Sequence, residues 1–159
     1  MTLLFTYLQL AVFIGYIGYV ISKFGVLPSV SESWYRLNEN RQGILFTLFC
    51  MALGVLMIYQ SNETSPWFFF SAAGLCAVGV ATAFNWKGAF TDVVHGAGAG
   101  IGIGCALIGL WVEYNNPMPF AAFLLISVLM KAFNIKNMIW WIEMAAFLVI
   151  IFGLFYRFM

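Results

Sequence analysis

Residues 92–107 read DVVHGAGAGIGIGCAL, and every second residue from Gly96 to Gly104 is glycine. In water this run would be a poor helix, because each glycine costs about 1 kcal/mol relative to alanine. It is surrounded by apolar sequence of membrane-spanning length. In lipid a backbone must satisfy its own hydrogen bonds, which favours a helix. The stretch therefore predicts a transmembrane helix that is suited to close helix contacts.

The glycines of this helix fall on two faces. Gly96, Gly100 and Gly104 share one face, and Gly98 and Gly102 share another. Both faces have the small-xxx-small spacing that lets helix backbones approach closely. We predict that this helix lies at the centre of a bundle and contacts neighbours on both faces, so that Gly100→Leu prevents folding.

The composition is that of a membrane protein. Hydrophobic residues make up 64% of the chain and charged residues 8%, whereas a soluble domain carries about 25% charged residues. A net charge of +1 without a basic patch excludes nucleic acid as a partner. The length of 159 residues suits one domain. We predict a single transmembrane domain over residues 1–159 in the cell membrane, specifically a bacterial inner membrane.

Six apolar stretches are read as membrane spans, each near the roughly 20 residues that a bilayer requires. They cover residues 3–26, 44–60, 67–84, 93–112, 119–133 and 138–156, of which the fifth is the shortest. The sequence therefore predicts an all-α integral membrane bundle of six transmembrane helices, with the glycine-rich fourth span at its centre.

The basic residues predict the orientation. Six of the seven fall in or beside loops one, three and five, namely Lys23, Arg36, Arg41, Lys87, Lys131 and Lys136. Loops two and four carry no lysine or arginine, and Arg157 is the one contrary charge. The positive-inside rule then makes loops one, three and five cytoplasmic and places both termini outside.

Five polar residues are candidates for a functional site. Asp92 and His95 open the fourth span at i,i+3 spacing, Glu143 lies early in the sixth span, and loop one contributes Ser31 and Ser33. Ionisable residues in a span are costly and therefore suggest function. All five belong to the predicted cytoplasmic face.

Each candidate also has a structural interpretation. Asp92 can complement the positive end of the helix dipole, and His95 can hydrogen-bond to Asp92. Glu143 can pair with Lys131 or Lys136, and the serines can be ordinary polar loop residues.

A metal centre and a catalytic triad have little support. Asp92, His95 and Glu143 would supply one histidine and two carboxylates, without the HxxxH or CxxC spacing of metal sites. Ser31 or Ser33 with His95 and Asp92 would form a triad that lacks the GxSxG elbow. We predict no metal and no cofactor.

Three resemblances extend these interpretations. The segment PSVSESWY over residues 28–35, followed by Asp92 and His95 opening a later span, resembles small uncharacterised bacterial and phage membrane proteins. More loosely, a serine, an aspartate and a histidine at one membrane face are similar to the ceramidase and adiponectin-receptor-like membrane hydrolases. That likeness implies a hydrolytic pocket, although those enzymes carry further histidine ligands in the last helix, where this chain has Glu143. The glycine run also looks like the packing helix of rotary ATPase proteolipids, which would make Glu143 an ion-binding carboxylate.

Three functions follow as hypotheses. The first is a non-enzymatic accessory, assembly or interaction subunit, whose partners are membrane lipid and a protein or a second copy of the chain. The second is a membrane-embedded hydrolase or lipid-binding protein, which requires Ser31, Asp92, His95 and Glu143 to lie within hydrogen-bond reach. The third is a pore or holin-like conduit, which ranks last because the outer halves of the spans look almost entirely apolar.

Overall fold

The computed structural model describes residues 2–60, 66–83 and 89–156, and for residues 2, 60, 89–92 and 156 it describes the backbone alone. These residues form seven α-helices: α1 (Thr2–Phe24), α2 (Glu32–Glu39), α3 (Ile44–Gln60), α4 (Pro66–Ala83), α5 (Ala89–Tyr114), α6 (Met118–Ala132) and α7 (Met138–Tyr156). The predicted all-α architecture is confirmed. The six stretches that were predicted as spans form α1 and α3–α7, which shows that they are helical, whereas α2 in loop one was not predicted.

Four of these helices are long and apolar enough to cross a membrane. They are α1 (Leu3–Phe24), α4 (Pro66–Ala83), α5 (Val93–Tyr114) and α7 (Met138–Phe155). The apolar helices α3 and α6 are shorter, at 17 and 15 residues. By length and composition, the four longer helices fit the prediction of a membrane protein.

Consecutive long helices run antiparallel, which gives the bundle two distinct ends. Between α1 and α3, Phe5 stacks on Tyr59 at one end, while Tyr19 Oη donates to Gln42 Oε1 at 2.8 Å at the other. The second of these ends is called the α2 end, because α2 lies there and buries Ser33, Trp34 and Leu37. The first residues of α3, α5 and α7 also lie at the α2 end, and the opposite end is called the far end.

One glycine face of α5 packs closely against α4. A Cβ atom added to Gly74 would lie 2.5 Å from the carbonyl oxygen of Gly98 and 2.7 Å from the nitrogen of Gly102. Ser71 Oγ donates to the Gly102 carbonyl at 2.5 Å across this contact. The two backbones therefore approach more closely than any residue larger than glycine would allow.

The other glycine face of α5 is open. A Cβ atom added at Gly96, Gly100 or Gly104 would meet no neighbouring atom within 4 Å in the described part of the chain. The prediction that α5 contacts neighbours on both glycine faces is therefore wrong, and the steric reason for expecting Gly100→Leu to prevent folding is removed. The physical reason is that α7 packs against larger residues of α5 and not against these glycines. One of them is Leu110, whose side chain lies beside Gly153 of α7.

Candidate functional site

The connection between α1 and α2 (residues 25–31) is fixed to the first turns of α7 by three hydrogen bonds. They run from Asn137 Nδ2 to Val26 O (3.0 Å), from Trp140 N to Pro28 O (3.1 Å) and from Val30 N to Glu143 Oε2 (2.5 Å). Trp140 and Glu143 lie three apart and thus on one face of α7, and Asn137 comes directly before the helix. Their partners are alternate residues of an irregular segment. Glu143 is therefore an anchor for loop one.

Glu143 does not have the partner that the sequence suggested. The described residues form ion pairs between Arg36 and its helix neighbours Glu32 and Glu39, at 3.9 and 3.8 Å. Within the same residues, Glu143 makes no ion pair with Lys131 or Lys136. The expected pairing is wrong because α7 presents Glu143 to the α1–α2 connection, where a backbone N–H is available.

The two candidate serines have different surroundings. Ser33 is 0% exposed, donates to the Val30 carbonyl at 2.5 Å and lies 2.5 Å from Tyr16 Oη. These bonds join the start of α2 to α1, so Ser33 is a structural residue, and it does not line the cavity that Ser31 faces. Ser31 Oγ lies 3.0 Å from Ser29 Oγ and faces a cavity.

This cavity brings together three of the five candidates, Ser31, His95 and Glu143, and is called the Glu143 cavity. Apolar side chains form the rest of its wall, including Cys50 and Phe147. The backbone of Asp92 belongs to the first turn of α5, but its side chain lies outside the described residues. Ser31, His95 and Glu143 therefore lie together at the α2 end, as the sequence predicted. Ser33 does not join them, and the position of the Asp92 side chain is not described.

The size of the Glu143 cavity limits what it can hold. Its volume is about 40 Å³, whereas ligand pockets usually measure about 300–1,000 Å³. One water molecule occupies about 30 Å³ of liquid. As it stands, the cavity accommodates water but not an acyl chain or a sugar.

Metal chemistry has no ligand set in the described part of the chain. No group of three histidine, cysteine or carboxylate residues there is placed to hold a metal ion. The three cysteines, Cys50, Cys76 and Cys105, are free and form no disulfide. They lie within helices and serve as small packing residues.

Sequence inspection missed Gln9, which is 1% exposed in α1. Its side chain lines a second cavity of about 20 Å³ together with Ser71 and Gly102, here called the Gln9 cavity. Thr6 and Ser71 are also fully buried in the half of the bundle nearer the far end. These three residues are exceptions to the expectation that this half is almost entirely apolar. The available signal was the i,i+3 spacing of Thr6 and Gln9. Tyr16 follows Gln9 by seven residues, or about two turns, and so lies on the same face of α1.

Comparison with protein-family models, with curated proteins and with solved structures gives no match for this chain. The resemblances of residues 28–35 and of the serine, aspartate and histidine set therefore stay predictions. The function has to be inferred from the packing faces, the cavities and the charges of the molecule.

Proposed function

We propose that this chain is a six-span integral membrane protein that acts as a non-enzymatic interaction subunit, and that a second copy of the chain binds to its open glycine face. The observation that carries this proposal is the absence of any neighbour at Gly96, Gly100 and Gly104 among the described residues. A helix surface with this spacing forms a shallow groove into which another helix fits.

The six-span arrangement is supported by the two shorter apolar helices. At 1.5 Å per residue, α3 and α6 extend about 25 and 22 Å, compared with a hydrocarbon thickness of about 30 Å. Local bilayer thinning accommodates such a mismatch at modest cost. Both helices run antiparallel to longer apolar neighbours, so all six cross the membrane together.

The orientation follows from the charges at the α2 end. Lys23, Arg36 and Arg41 belong to this end, as do Lys131 and Lys136 beside the α6–α7 connection. The positive-inside rule makes this the cytoplasmic end and places both termini outside. Lys87 and Arg157, which also entered the prediction, lie outside the described residues.

A second copy is the proposed occupant because the face is self-complementary. Three glycines at i, i+4 and i+8 on one helix can meet the same three on a twofold-related helix, which gives a closed dimer. The contact between α4 and α5 provides a precedent inside the chain, since glycines at the same spacing already bring two backbones together there. In lipid such association is driven by packing and not by apolar burial.

The test is native mass spectrometry of the protein in lipid nanodiscs, assembled at a ratio that admits dimers. Wild type is expected to be dimeric, and Gly100→Leu is expected to be a folded monomer. Gly18→Leu is the matched control, because Gly18 also has no neighbour within 4 Å among the described residues and lies on α1; it should remain dimeric. A monomeric wild type, a dimeric Gly100→Leu, or a complex with a different protein would each overturn the second-copy proposal.

A second candidate function, a lipid-binding or hydrolytic pocket, is favoured by one observation. Ser31, His95 and Glu143 line a common cavity at the α2 end. The small volume of that cavity argues against it. One lipid retained per wild-type chain in native mass spectra, and lost in His95→Ala, would support this candidate. Equal lipid retention by both proteins would remove it.

A further inference from the structure

The side-chain amide of Gln9 is buried without hydrogen bonds to the described residues. Neither Nε2 nor Oε1 has a hydrogen-bond partner among the described residues, and the side chain is 1% exposed. A primary amide offers two donor hydrogens and an acceptor oxygen. Leaving all of them unpaired in an apolar interior is costly, so such groups usually bind an internal water.

The space beside Gln9 is of the size that a water needs. The Gln9 cavity of about 20 Å³ lies between α1, α3, α4, α5 and α7, and about 10–15 Å³ is enough for one water molecule. The cavity is also lined by Ser71, whose hydroxyl donates to Gly102 O and so keeps an acceptor lone pair available. A water at this position can bond to the amide and to the hydroxyl oxygen.

The Gln9 cavity is adjacent to the Glu143 cavity. Leu75, Ile103 and Phe147 line both of them. Phe147 is the largest of the three, and its ring contacts Phe13 and Phe49, with centroids 5.5 and 5.8 Å apart. The polar wall of the Glu143 cavity, formed by Ser31, His95 and Glu143, lies at the α2 end where bulk water is near.

We propose that the Gln9 cavity is a binding site for water, and that this water is supplied from the Glu143 cavity past the ring of Phe147. The two cavities then form a hydrated path from the α2 end into the far half of the bundle. Their combined size admits water and excludes larger solutes. This path is independent of the glycine face on which the proposed function depends.

The water site is tested by the thermal stability of Gln9→Met in detergent. If a water bridges the Gln9 amide and the Ser71 hydroxyl, Gln9→Met loses that bridge. Its Tm then falls further than the Tm of Ile17→Met. Ile17 is buried on the same helix and lines neither cavity, so its substitution reports the cost of packing methionine into α1. If the cavity is dry, removing an unpaired amide stabilises the protein. A Tm at or above that of wild type would thus overturn the water site.

The path is tested with silver ions, which react with thiols that water can reach. In a Cys50→Ala, Cys76→Ala, Cys105→Ala background, Gln9→Cys is compared with Val20→Cys, which is 0% exposed and lines neither cavity. Gln9→Cys is expected to react about tenfold faster, because thiol reactivity follows access, and adding Phe147→Ala should accelerate it. Equal rates at the two positions would overturn the path. If Gln9→Cys does not fold, Ser71→Cys tests the same cavity.

Discussion

The two glycine faces of α5 have the same residue type and the same four-residue spacing, yet their surroundings are opposite. Gly98 and Gly102 lie against the backbone of Gly74 in α4, whereas a Cβ atom added at Gly96 or Gly100 would meet no neighbour within 4 Å among the described residues. The spacing gives each face the capacity for close packing. Which face is used inside the chain depends on where the other helices lie.

The largest loss of stability is expected from adding a single methyl group to the packed contact between α4 and α5. In Gly74→Ala the new Cβ would lie 2.5 Å from Gly98 O and 2.7 Å from Gly102 N, and both atoms belong to backbone that cannot easily move. Overpacking of this kind costs about 1–3 kcal/mol or more. We expect a clear loss of thermal stability and of monodisperse protein in gel filtration. If Gly74→Ala behaves as Gly18→Ala does, the close contact between α4 and α5 is not present.

A smaller loss of stability is expected from removing the hydrogen bond that joins α4 and α5 at the same contact. Ser71→Ala loses the bond to the Gly102 carbonyl but leaves the glycine contact in place. Interhelical hydrogen bonds in membranes contribute about 0.6–2 kcal/mol. Unfolding of the variant in mixed micelles should show a decrease of that size. A decrease as large as that of Gly74→Ala would mean that the hydroxyl, and not the glycine spacing, determines the approach of the two helices.

The smallest effect is expected from adding a methyl group to the open face. Gly100→Ala should leave the stability of the isolated chain unchanged or raise it slightly, because alanine is the better helix former by about 1 kcal/mol and no neighbour opposes the new Cβ. The measurement is the same unfolding experiment, made at a dilution where the chain is monomeric. Destabilisation comparable to that of Gly74→Ala would show that the face is occupied within one chain.

The helices themselves were predictable because their signal is local. The predicted bounds 44–60 and 138–156 coincide with α3 (Ile44–Gln60) and α7 (Met138–Tyr156). Helix α2 was missed since eight mostly polar residues carry little apolar signal, and its Trp34 and Leu37 are buried only by docking against the bundle. Of the candidate site, Ser31, His95 and Glu143 were placed at one end correctly, because loop order in an antiparallel bundle fixes the end of each residue.

The sequence by itself determined that the chain is helical and of membrane composition, and which residues share an end of the bundle. Both depend on hydropathy and on backbone hydrogen bonds within each helix, which nearby residues decide. Only the tertiary structure decided that one glycine face is packed and one open, that Glu143 binds the Val30 N–H, and that Gln9 is buried beside a cavity. These features join residues far apart in the chain, 113 positions for Glu143 and Val30. The physical reason is that a helix specifies what its surface can contact, whereas the packing of all the helices selects which contacts form.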